Sequence, residues 1–300
     1  MRKNAQHYSS WNGSASNLYR MTDEDVAKMH AVLLSMYKDI KQVCDKYGVD
    51  LIAAGGTALG AIRHKGFIPW DDDMDIFMFR KDFEKFRSFF DAELKDEYHL
   101  LSPGGENGAN CFLPRIVKKG TTFLGMIDET APYPHGIYID INILEYAPEK
   151  KSSFLLKSVG SDFRRFISYS VYWNQYRSQS LKEYMLGSKG AKYYKLRMAL
   201  GKVFSFRSAE AWFASFDKYV RGNESATFTV PSGTKKYRGE KLSFDVVYPL
   251  KVVPFEDTEI KVFNNYDWYL SNLYGDYKTI PDVNNREHHL CLALNFDKEV

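Results

Sequence analysis

Four aspartates fall within five positions, at Asp71, Asp72, Asp73 and Asp75, and the chain runs from them directly into the apolar segment 76–79. Carboxylates this close repel one another, and aspartate is unfavourable in strands. A chain that keeps all four is expected to offset their charge, and a divalent cation is the obvious counter-charge. The stretch 55–79 therefore limits the fold to one that can gather acidic side chains at the start of a buried strand.

Strand alternation divides the four aspartates into two groups. It places Asp73, Asp75 and Phe77 on one face of a strand, so the first two carboxylates can share a metal. Hard oxygen ligands at this density suit Mg²⁺ or Mn²⁺. The alternative is an acidic surface turn, but Asp75 lies inside an apolar run, where an unpaired charge is costly. Asp71 and Asp72 are expected in the preceding loop, with no role assigned to them.

A glycine turn precedes the aspartates. A short apolar strand at 51–54 leads into Gly55, Gly56 and Thr57, and a short helix is predicted over 58–64. A strand, a glycine turn and a helix start bring backbone N–H groups and the helix dipole to one point, which suits phosphate. Two glycines alone are more typical of a tight structural turn than of a phosphate site.

A second strand carries a candidate third carboxylate. In segment 136–144 four isoleucines alternate with polar or larger residues, which predicts a strand with one core face. Asp140 lies on the opposite face, in mid-strand. Alone it would be read as a solvated residue; beside a two-carboxylate metal site it becomes a third metal ligand or a general base.

Composition excludes several classes of protein. The chain has 300 residues and a net charge of +3, from 41 basic and 38 acidic residues, which gives no support to nucleic-acid binding by bulk charge. Its three cysteines form no metal or disulfide pattern, which fits a cytoplasmic protein. No apolar run reaches membrane-spanning length, and the polar N-terminus lacks the core of a signal peptide. Peripheral membrane association would need a surface helix or a partner.

The pattern of elements predicts an α/β (α+β) fold with a mixed sheet flanked by helices. We expect a flexible arm at 1–21, a catalytic core at 22–149, a helical insertion at 150–240 and a C-terminal segment at 241–300 that packs on the core. Within the core Thr22 and Asp82 are expected to cap helices, and Arg115 to be a solvated surface residue. The insertion is rich in aromatic and basic residues, and three interpretations stay open: an acceptor groove, a membrane-surface face or a plain helical subdomain. Segment 244–249 is expected to form a strand.

The stretch GGTALGAIRHKGFIPWDDDMDI at 55–76 closely resembles the signature of the LicD family. That family belongs to the nucleotidyltransferase-fold superfamily and includes the fukutin-related proteins. Gly55 and Gly56 match its turn, Asp73 and Asp75 its paired carboxylates, and Asp140 its third. A C-terminal motif is also similar, through Tyr266, Asp267, Tyr269, Leu270, Tyr274, Gly275, Asp276 and Pro281. Asn142 and Ile143 depart from the family pattern after the third carboxylate, and segment 150–240 carries no motif of the resemblance.

The resemblance implies a nucleotidyltransferase-type mixed sheet and a transferase. Such an enzyme would move phosphocholine from CDP-choline, or a polyol phosphate from a CDP-polyol, to a hydroxyl of a cell-surface glycan such as lipopolysaccharide, capsule or teichoic acid. The reaction would depend on Mg²⁺ or Mn²⁺, release CMP and take place in the cytoplasm, at the inner face of the membrane.

The resemblance also implies roles for single residues. Asp73 and Asp75 would bind the metal, with Asp140 as third ligand or general base, and the turn formed by Gly55, Gly56 and Thr57 would hold phosphate oxygens. A basic residue of the same stretch would offset charge on the leaving CMP, the candidates being Arg63, His64 and Lys65. Choline would need an aromatic cage, supplied by Trp70 or by rings of 150–180.

Two alternatives stay open at this point. The same site would serve nucleotidyl transfer to a sugar phosphate or small molecule, with diphosphate as the product. A non-catalytic glycan- or nucleotide-binding protein on this fold is the second alternative, and the intact set of three aspartates argues against it.

Overall fold

The fold is built on a mixed β-sheet that brings distant parts of the chain side by side. A computed structural model describes residues 13–103, 111–283, 286 and 290–296. Within these residues the main strand path runs in the order β10-β11-β2-β3-β7-β5-β4, and β8 and β9 extend from β7. A second, three-stranded sheet has the order β1-β12-β6. The strands are β1 (Tyr19–Arg20), β2 (Ile52–Ala53), β3 (Asp75–Phe79), β4 (Tyr98–Leu101), β5 (Arg115–Lys118), β6 (Thr122–Gly125), β7 (Tyr138–Tyr146), β8 (Thr227–Thr229), β9 (Lys241–Ser243), β10 (Lys251–Phe255), β11 (Thr258–Val262) and β12 (Leu290–Asn295).

Helices flank the main sheet and also form a separate group. They are α1 (Asp23–Tyr47), α2 (Gly55–Arg63), α3 (Arg80–Glu93), α4 (Lys151–Gln175), α5 (Gln179–Leu186), α6 (Ala191–Val203), α7 (Ala209–Val220), α8 (Lys236–Gly239), α9 (Phe244–Val247) and α10 (Tyr266–Tyr274), with a 3₁₀ turn at Met126–Asp128. The expected α/β (α+β) class with a mixed sheet and a helical segment is confirmed. Among the described residues, no helix is both long enough and apolar enough to cross a membrane.

The first helix forms where its sequence pattern predicts. Thr22 caps α1 through a reciprocal capping box with Asp25, and Gly48 ends it in the left-handed conformation at φ 62°. The buried residues recur every three or four positions along α1, so a single face packs on the sheet.

The central strands β3 and β7 run parallel and hold the core of the sheet. Their register pairs Asp75 with Asp140 and Ile76 with Ile141. The four isoleucines of segment 136–144 are all buried, as the alternation predicts. The opposite set of β7 side chains, which includes Asp140, is therefore turned toward the site described below.

The helices α4 to α7 have their own core. A second cluster of buried side chains joins residues of these helices to the neighbourhood of β5 and the 3₁₀ turn; its largest members include Phe112, Tyr172, Trp173, Tyr184 and Phe213. Ser208 caps α7 through its hydroxyl, as expected for a serine before an apolar helix face. The predicted insertion is thus a helical layer with an aromatic interior.

Two local expectations are wrong. Asp82 is not a cap: α3 begins at Arg80, and Asp82 lies in its first turn, where the helix dipole favours it equally well. Residues 244–247 form the short helix α9 instead of a strand. Of the predicted arm at 1–21, residues 1–12 lie outside the described part of the chain, while Tyr19 and Arg20 pair with β12.

Candidate active site

Asp73, Asp75 and Asp140 converge at one end of the β3–β7 pair. Asp75 is the first residue of β3 and lies beside Asp140, with which it is in register. Asp73 precedes the strand by two positions, so the same alternation brings it toward this end. The structure thus brings together three carboxylates that are 67 positions apart at their extremes, from 73 to 140.

The carboxyl group of Asp75 is held by neighbours on two other elements. Its Oδ1 accepts a hydrogen bond from Asn142 Nδ2 at 3.0 Å, and its backbone N–H donates to Thr57 Oγ1 at 2.9 Å. Asn142 is itself fixed, because its Oδ1 accepts from the Ser232 hydroxyl at 3.1 Å. Burial, and then the negative charges of nearby aspartates, chiefly Asp73, raise the pKa of Asp75 well above its usual range. The charged form of Asp75 is therefore unfavourable at this point of the fold unless a positive charge offsets it.

The glycine turn lies directly against these carboxylates. Gly55 has φ +46°, and a Cβ atom placed on it would lie 3.5 Å from Asp75 Oδ2. A Cβ atom on Gly56 would come within 2.7 Å of Asp71 Oδ2, closer than real Cβ contacts allow. The Gly55 N–H donates to the Tyr269 hydroxyl at 3.0 Å. The N-terminus of α2 and the acidic loop therefore share one small space, which a side chain on Gly56 would invade, while the positive φ of Gly55 favours glycine there.

The acidic loop is anchored from α1. His30 Nε2 donates to the carbonyl oxygen of Asp71 at 2.6 Å, and the His30 ring stacks on Phe67 at 4.3 Å. The side chain of Asp72 is buried. Sequence reasoning assigned no role to His30, because a histidine on a helix face gives no sign of what it contacts.

Arg115 pairs with Asp140, which corrects the expectation that Arg115 is a solvated surface residue. Its Nε donates to Asp140 Oδ1 at 2.8 Å, and its side chain is only 14% exposed. The guanidinium carbon lies 4.2 Å from the centre of the Tyr138 ring. Burial opposes the charge on Arg115, but the attraction of Asp140 raises the pKa of Arg115 well above its usual value. The antiparallel pairing of β5 with β7, with Arg115 opposite Asp140, brings the two together.

A cavity of about 520 Å³ opens between this cluster and the helical layer. On the sheet side it is lined by Asp72, Asp73, Arg115 and Asp140, and on the helical side by Asp162, Arg165, Phe166, Tyr169, Trp173, Tyr193 and Arg197. Such a concave space, with a few charged groups among aromatic walls, is the usual form of a small-molecule site.

The aromatic rings of the helical wall enclose a guanidinium group. The Arg197 guanidinium carbon lies 4.3 Å from the Phe166 ring centre, 5.0 Å from Trp173 and 4.7 Å from Tyr193. Arg197 Nη1 also donates to the Phe166 carbonyl at 3.1 Å. A set of rings that would suit a quaternary ammonium group is thus occupied by a side chain of the protein itself.

The basic cluster of Arg63, His64 and Lys65, at the C-terminal end of α2, is not part of the cavity lining. Arg63 Nη1 donates to the carbonyl oxygen of Tyr277 at 2.7 Å, and its Nε donates to His64 Nε2 at 2.9 Å. The Trp70 ring has the Arg286 guanidinium carbon 4.0 Å from its centre. Lys65 is exposed, with φ +60°, and its carbonyl accepts from the Glu256 N–H. These contacts connect the basic cluster to the C-terminal segment. The Trp70 ring, like the rings around Arg197, is occupied by an arginine side chain of the protein itself.

Oxygen donors dominate the candidate metal site. Within the described residues, no group of three or more His, Cys, Asp and Glu side chains is arranged to hold a metal ion. Asp73 and Asp75 supply hard oxygen ligands of the kind Mg²⁺ prefers, and burial, followed by the neighbouring aspartates, raises the pKa of Asp75, a cost to its charged form that a cation would offset. One oxygen of Asp140 is engaged by Arg115. The donor chemistry therefore fits a divalent ion held by two carboxylates and completed by other oxygens.

The chain is similar to known proteins both over a short range and over most of its length. Residues 48–105 match the family model described as LicD/FKTN/FKRP, nucleotidyltransferase domain, a range that holds the glycine turn and Asp73 and Asp75. The chain is 25% identical over 269 residues to the lipopolysaccharide cholinephosphotransferase LicD of Haemophilus influenzae, which covers 86% of this chain and 94% of that protein.

Two shorter similarities concern uncharacterized proteins. The chain is 38% identical over 68 residues to a protein of Rickettsia prowazekii, and 33% identical over 64 residues to one of Rickettsia typhi. Each match covers 21% of this chain, and 26% and 19% of the two relatives.

Proposed function

The chain belongs to the LicD family, and we propose that it transfers a phospho-substituted group from a CDP-activated donor to a hydroxyl of a cell-surface glycan. The phosphorus of the transferred group exchanges its bond to the bridging oxygen of the donor for a bond to the acceptor oxygen. CMP leaves, and the acceptor hydroxyl loses its proton. The observation that carries the proposal is the convergence of Asp73, Asp75 and Asp140 beside the glycine turn, with Asp73 and Asp140 in the lining of one cavity.

Phosphoryl transfer needs charge neutralisation and alignment more than a covalent nucleophile. When bound at Asp73 and Asp75, Mg²⁺ or Mn²⁺ would neutralise the diphosphate of the donor. Thr57 and Asn142 hold Asp75 in position from α2 and β7, so the carboxylate needs little rearrangement to serve as a ligand. The start of α2 offers the positive end of a helix dipole to the phosphate oxygens at the same point.

Asp140 and Arg115 form the wall that the acceptor would meet. The paired side chains both line the cavity. Arg115 is held in place by Asp140 and the Tyr138 ring, and its guanidinium is suited to an oxygen-rich ligand. We propose that Asp140 either completes the metal shell or takes the proton of the acceptor hydroxyl.

The nature of the transferred group is a separate question, and the aromatic walls favour a polyol phosphate, whose polyol part is uncharged, over phosphocholine. Three rings of the cavity wall, those of Phe166, Trp173 and Tyr193, already surround Arg197, and Trp70 faces Arg286. A quaternary ammonium group would have to displace or approach these like charges, which is unfavourable. Hydroxyl groups of a polyol would find donors in Arg165, Arg197 and Tyr169.

The main test replaces Asp73 or Asp75 with Asn and measures CMP release from CDP-ribitol, CDP-glycerol and CDP-choline in the presence of Mg²⁺. We expect each variant to lose at least about a hundredfold in turnover. Mg²⁺ should raise the unfolding temperature of the wild type but not of Asp75→Asn, since a ligand stabilises only the state that binds it. Asp91→Asn, an exposed change on α3, is the matched control.

Three outcomes would contradict parts of this proposal. Turnover equal to that of the wild type in a folded Asp75→Asn variant would refute the proposed metal site. Diphosphate as product, in place of CMP, would identify a nucleotidyltransferase. For the donor, tighter calorimetric binding of CDP-choline than of CDP-ribitol by the wild type would refute the polyol preference, whereas Arg197→Met should improve CDP-choline binding.

A further inference from the structure

The outer side of the helical layer exposes a group of large apolar side chains. On α4, Leu156 is 73% exposed, Val159 67% and Phe163 47%. On α6 and the turn after it, Val203 is 66% exposed and Phe206 72%. Together with Leu196 of α6, which is 52% exposed, these side chains are called the apolar face below.

The apolar face is continuous between the two helices. The Phe163 ring meets Phe204 edge-on at 5.8 Å, Phe204 lies 6.0 Å from Phe206, and Phe206 lies 6.0 Å from Trp212. Val159 and Leu156 lie on the same side of α4 as Phe163, one and two turns earlier. A connected patch of this kind on a protein surface marks a docking site more often than isolated exposed residues do.

The α6 segment that carries part of this face is basic. Between Glu183 and Glu210 no acidic residue occurs, and six basic residues do: Lys189, Lys192, Lys195, Arg197, Lys202 and Arg207. Lys192, Lys195 and Lys202 are exposed, and they lie on the same side of α6 as Leu196 and Val203. Apolar and basic side chains thus share one outward surface.

We propose that the apolar face docks on an anionic phospholipid surface. Apolar side chains that enter the headgroup region, beside lysines that meet lipid phosphates, are how interfacial helices bind membranes. A second copy of the chain fits this surface poorly, because a symmetric dimer would bring the same lysines together. The inference rests on surface charge and exposure alone and does not depend on the transferase reaction.

Docking in this way would place the cavity close to the membrane. Asp162, Arg165 and Phe166 of α4 and Tyr193 and Arg197 of α6 line the cavity from the inner side of the same helices. One helix diameter, about 10 Å, therefore separates the cavity wall from the docking surface.

The test measures flotation of the purified full chain with vesicles of phosphatidylglycerol and phosphatidylethanolamine, and with vesicles of phosphatidylcholine alone. We expect binding to the anionic vesicles that weakens as salt is raised. Each lysine near such a surface contributes about fivefold to affinity. Lys192→Glu/Lys195→Glu should therefore lower binding by roughly twentyfold or more, and Lys81→Glu/Lys85→Glu, a matched exposed pair on α3, should not.

The apolar contribution is tested separately. Val203→Ser/Phe206→Ser should lower binding to the anionic vesicles at least tenfold, while Val252→Ser, at a β10 position that is 55% exposed, should leave it unchanged. Equal binding to neutral and anionic vesicles, or equal effects of the two lysine pairs, would overturn the proposal. So would a dimer in sedimentation that Phe206→Ser dissociates, since the face would then be an interface between copies.

Discussion

The buried pair of Arg115 and Asp140 allows a sharp test of what holds the candidate site together. Their side chains are 14% and 17% exposed, and Arg115 Nε lies 2.8 Å from Asp140 Oδ1. Asp140→Asn would leave a buried guanidinium without its nearest anion, a change that typically costs about 3–5 kcal/mol of unfolding free energy. We expect about 3 kcal/mol, because asparagine still accepts a hydrogen bond and Asp128 remains 3.9 Å from the guanidinium.

A double-mutant cycle measures the interaction energy between Arg115 and Asp140 separately from the cost of losing either side chain. Arg115→Met should cost a similar amount, since it leaves Asp140 beside other carboxylates with one cation fewer. The double variant carries neither unpaired charge, so its cost should fall short of the sum of the two by about 2 kcal/mol or more. Urea unfolding followed by far-ultraviolet circular dichroism, with a chelator present, measures all four proteins.

The exposed pair of Lys38 and Asp257 provides the control cycle. Its Nζ–Oδ1 distance is 2.7 Å, but the side chains are 41% and 67% exposed, so solvent screens the attraction. Little coupling is expected there. If the two cycles gave the same small coupling, within about 0.5 kcal/mol, the view that this ion pair organises the wall of the cavity would be refuted.

Three further perturbations follow from the described contacts. Burial raises the pKa of Glu240 to about 7 from an ordinary 4.5, so the folded state holds its proton longer than the unfolded one. Stability should then fall by about 3 kcal/mol as pH rises from about 4.5 to about 7, and Glu240→Gln should flatten that slope in urea unfolding across this range. Phe77→Ala, at a buried ring of β3, should cost about 3–5 kcal/mol in the same assay, against almost nothing for the exposed Phe244→Ala. Gly56→Ala must displace the Asp71 carboxylate, so CMP release should fall at least tenfold while the unfolding temperature changes little; unchanged turnover would contradict the close approach.

Periodicity and capping predicted the elements that depend on local sequence. α1 begins at a capping box and ends at a left-handed glycine, and both signals depend only on residues that are close together in the sequence. The alternation of isoleucines in segment 136–144 gave the correct core face for β7. Asp82 shows the limit of such signs, since a carboxylate one turn into α3 suits the helix dipole as well as a cap would.

Contacts between distant strands could not be predicted in the same way. Alternation gives the face on which Asp140 lies, but the register that pairs it with Asp75 depends on which strands become neighbours. The pairing of Arg115 with Asp140 has the same origin, and a lone arginine in a sequence is indistinguishable from a surface residue. Asn142 departs from the family pattern, yet it donates directly to Asp75.

The helical layer was predicted as helices and left open in its role. Its sequence shows the aromatic and basic residues but not which of them face each other. The enclosure of Arg197 by three rings requires α4 and α6 to cross at a particular place, and the close approach of Gly201 to the Ser170 backbone fixes that crossing. No spacing within either helix carries this information.

The hydrogen bond from the Gly55 N–H to the Tyr269 hydroxyl spans 214 positions of the chain. During synthesis the glycine turn and the acidic loop emerge long before α10, and β11 must also be made before it can lie beside β2. The ribosome therefore releases the acidic half of the site with its charges crowded and its neighbours missing. Nascent chains that stop before Tyr269 should lack an ordered turn at Gly55, so the site becomes competent only after α10 has been translated.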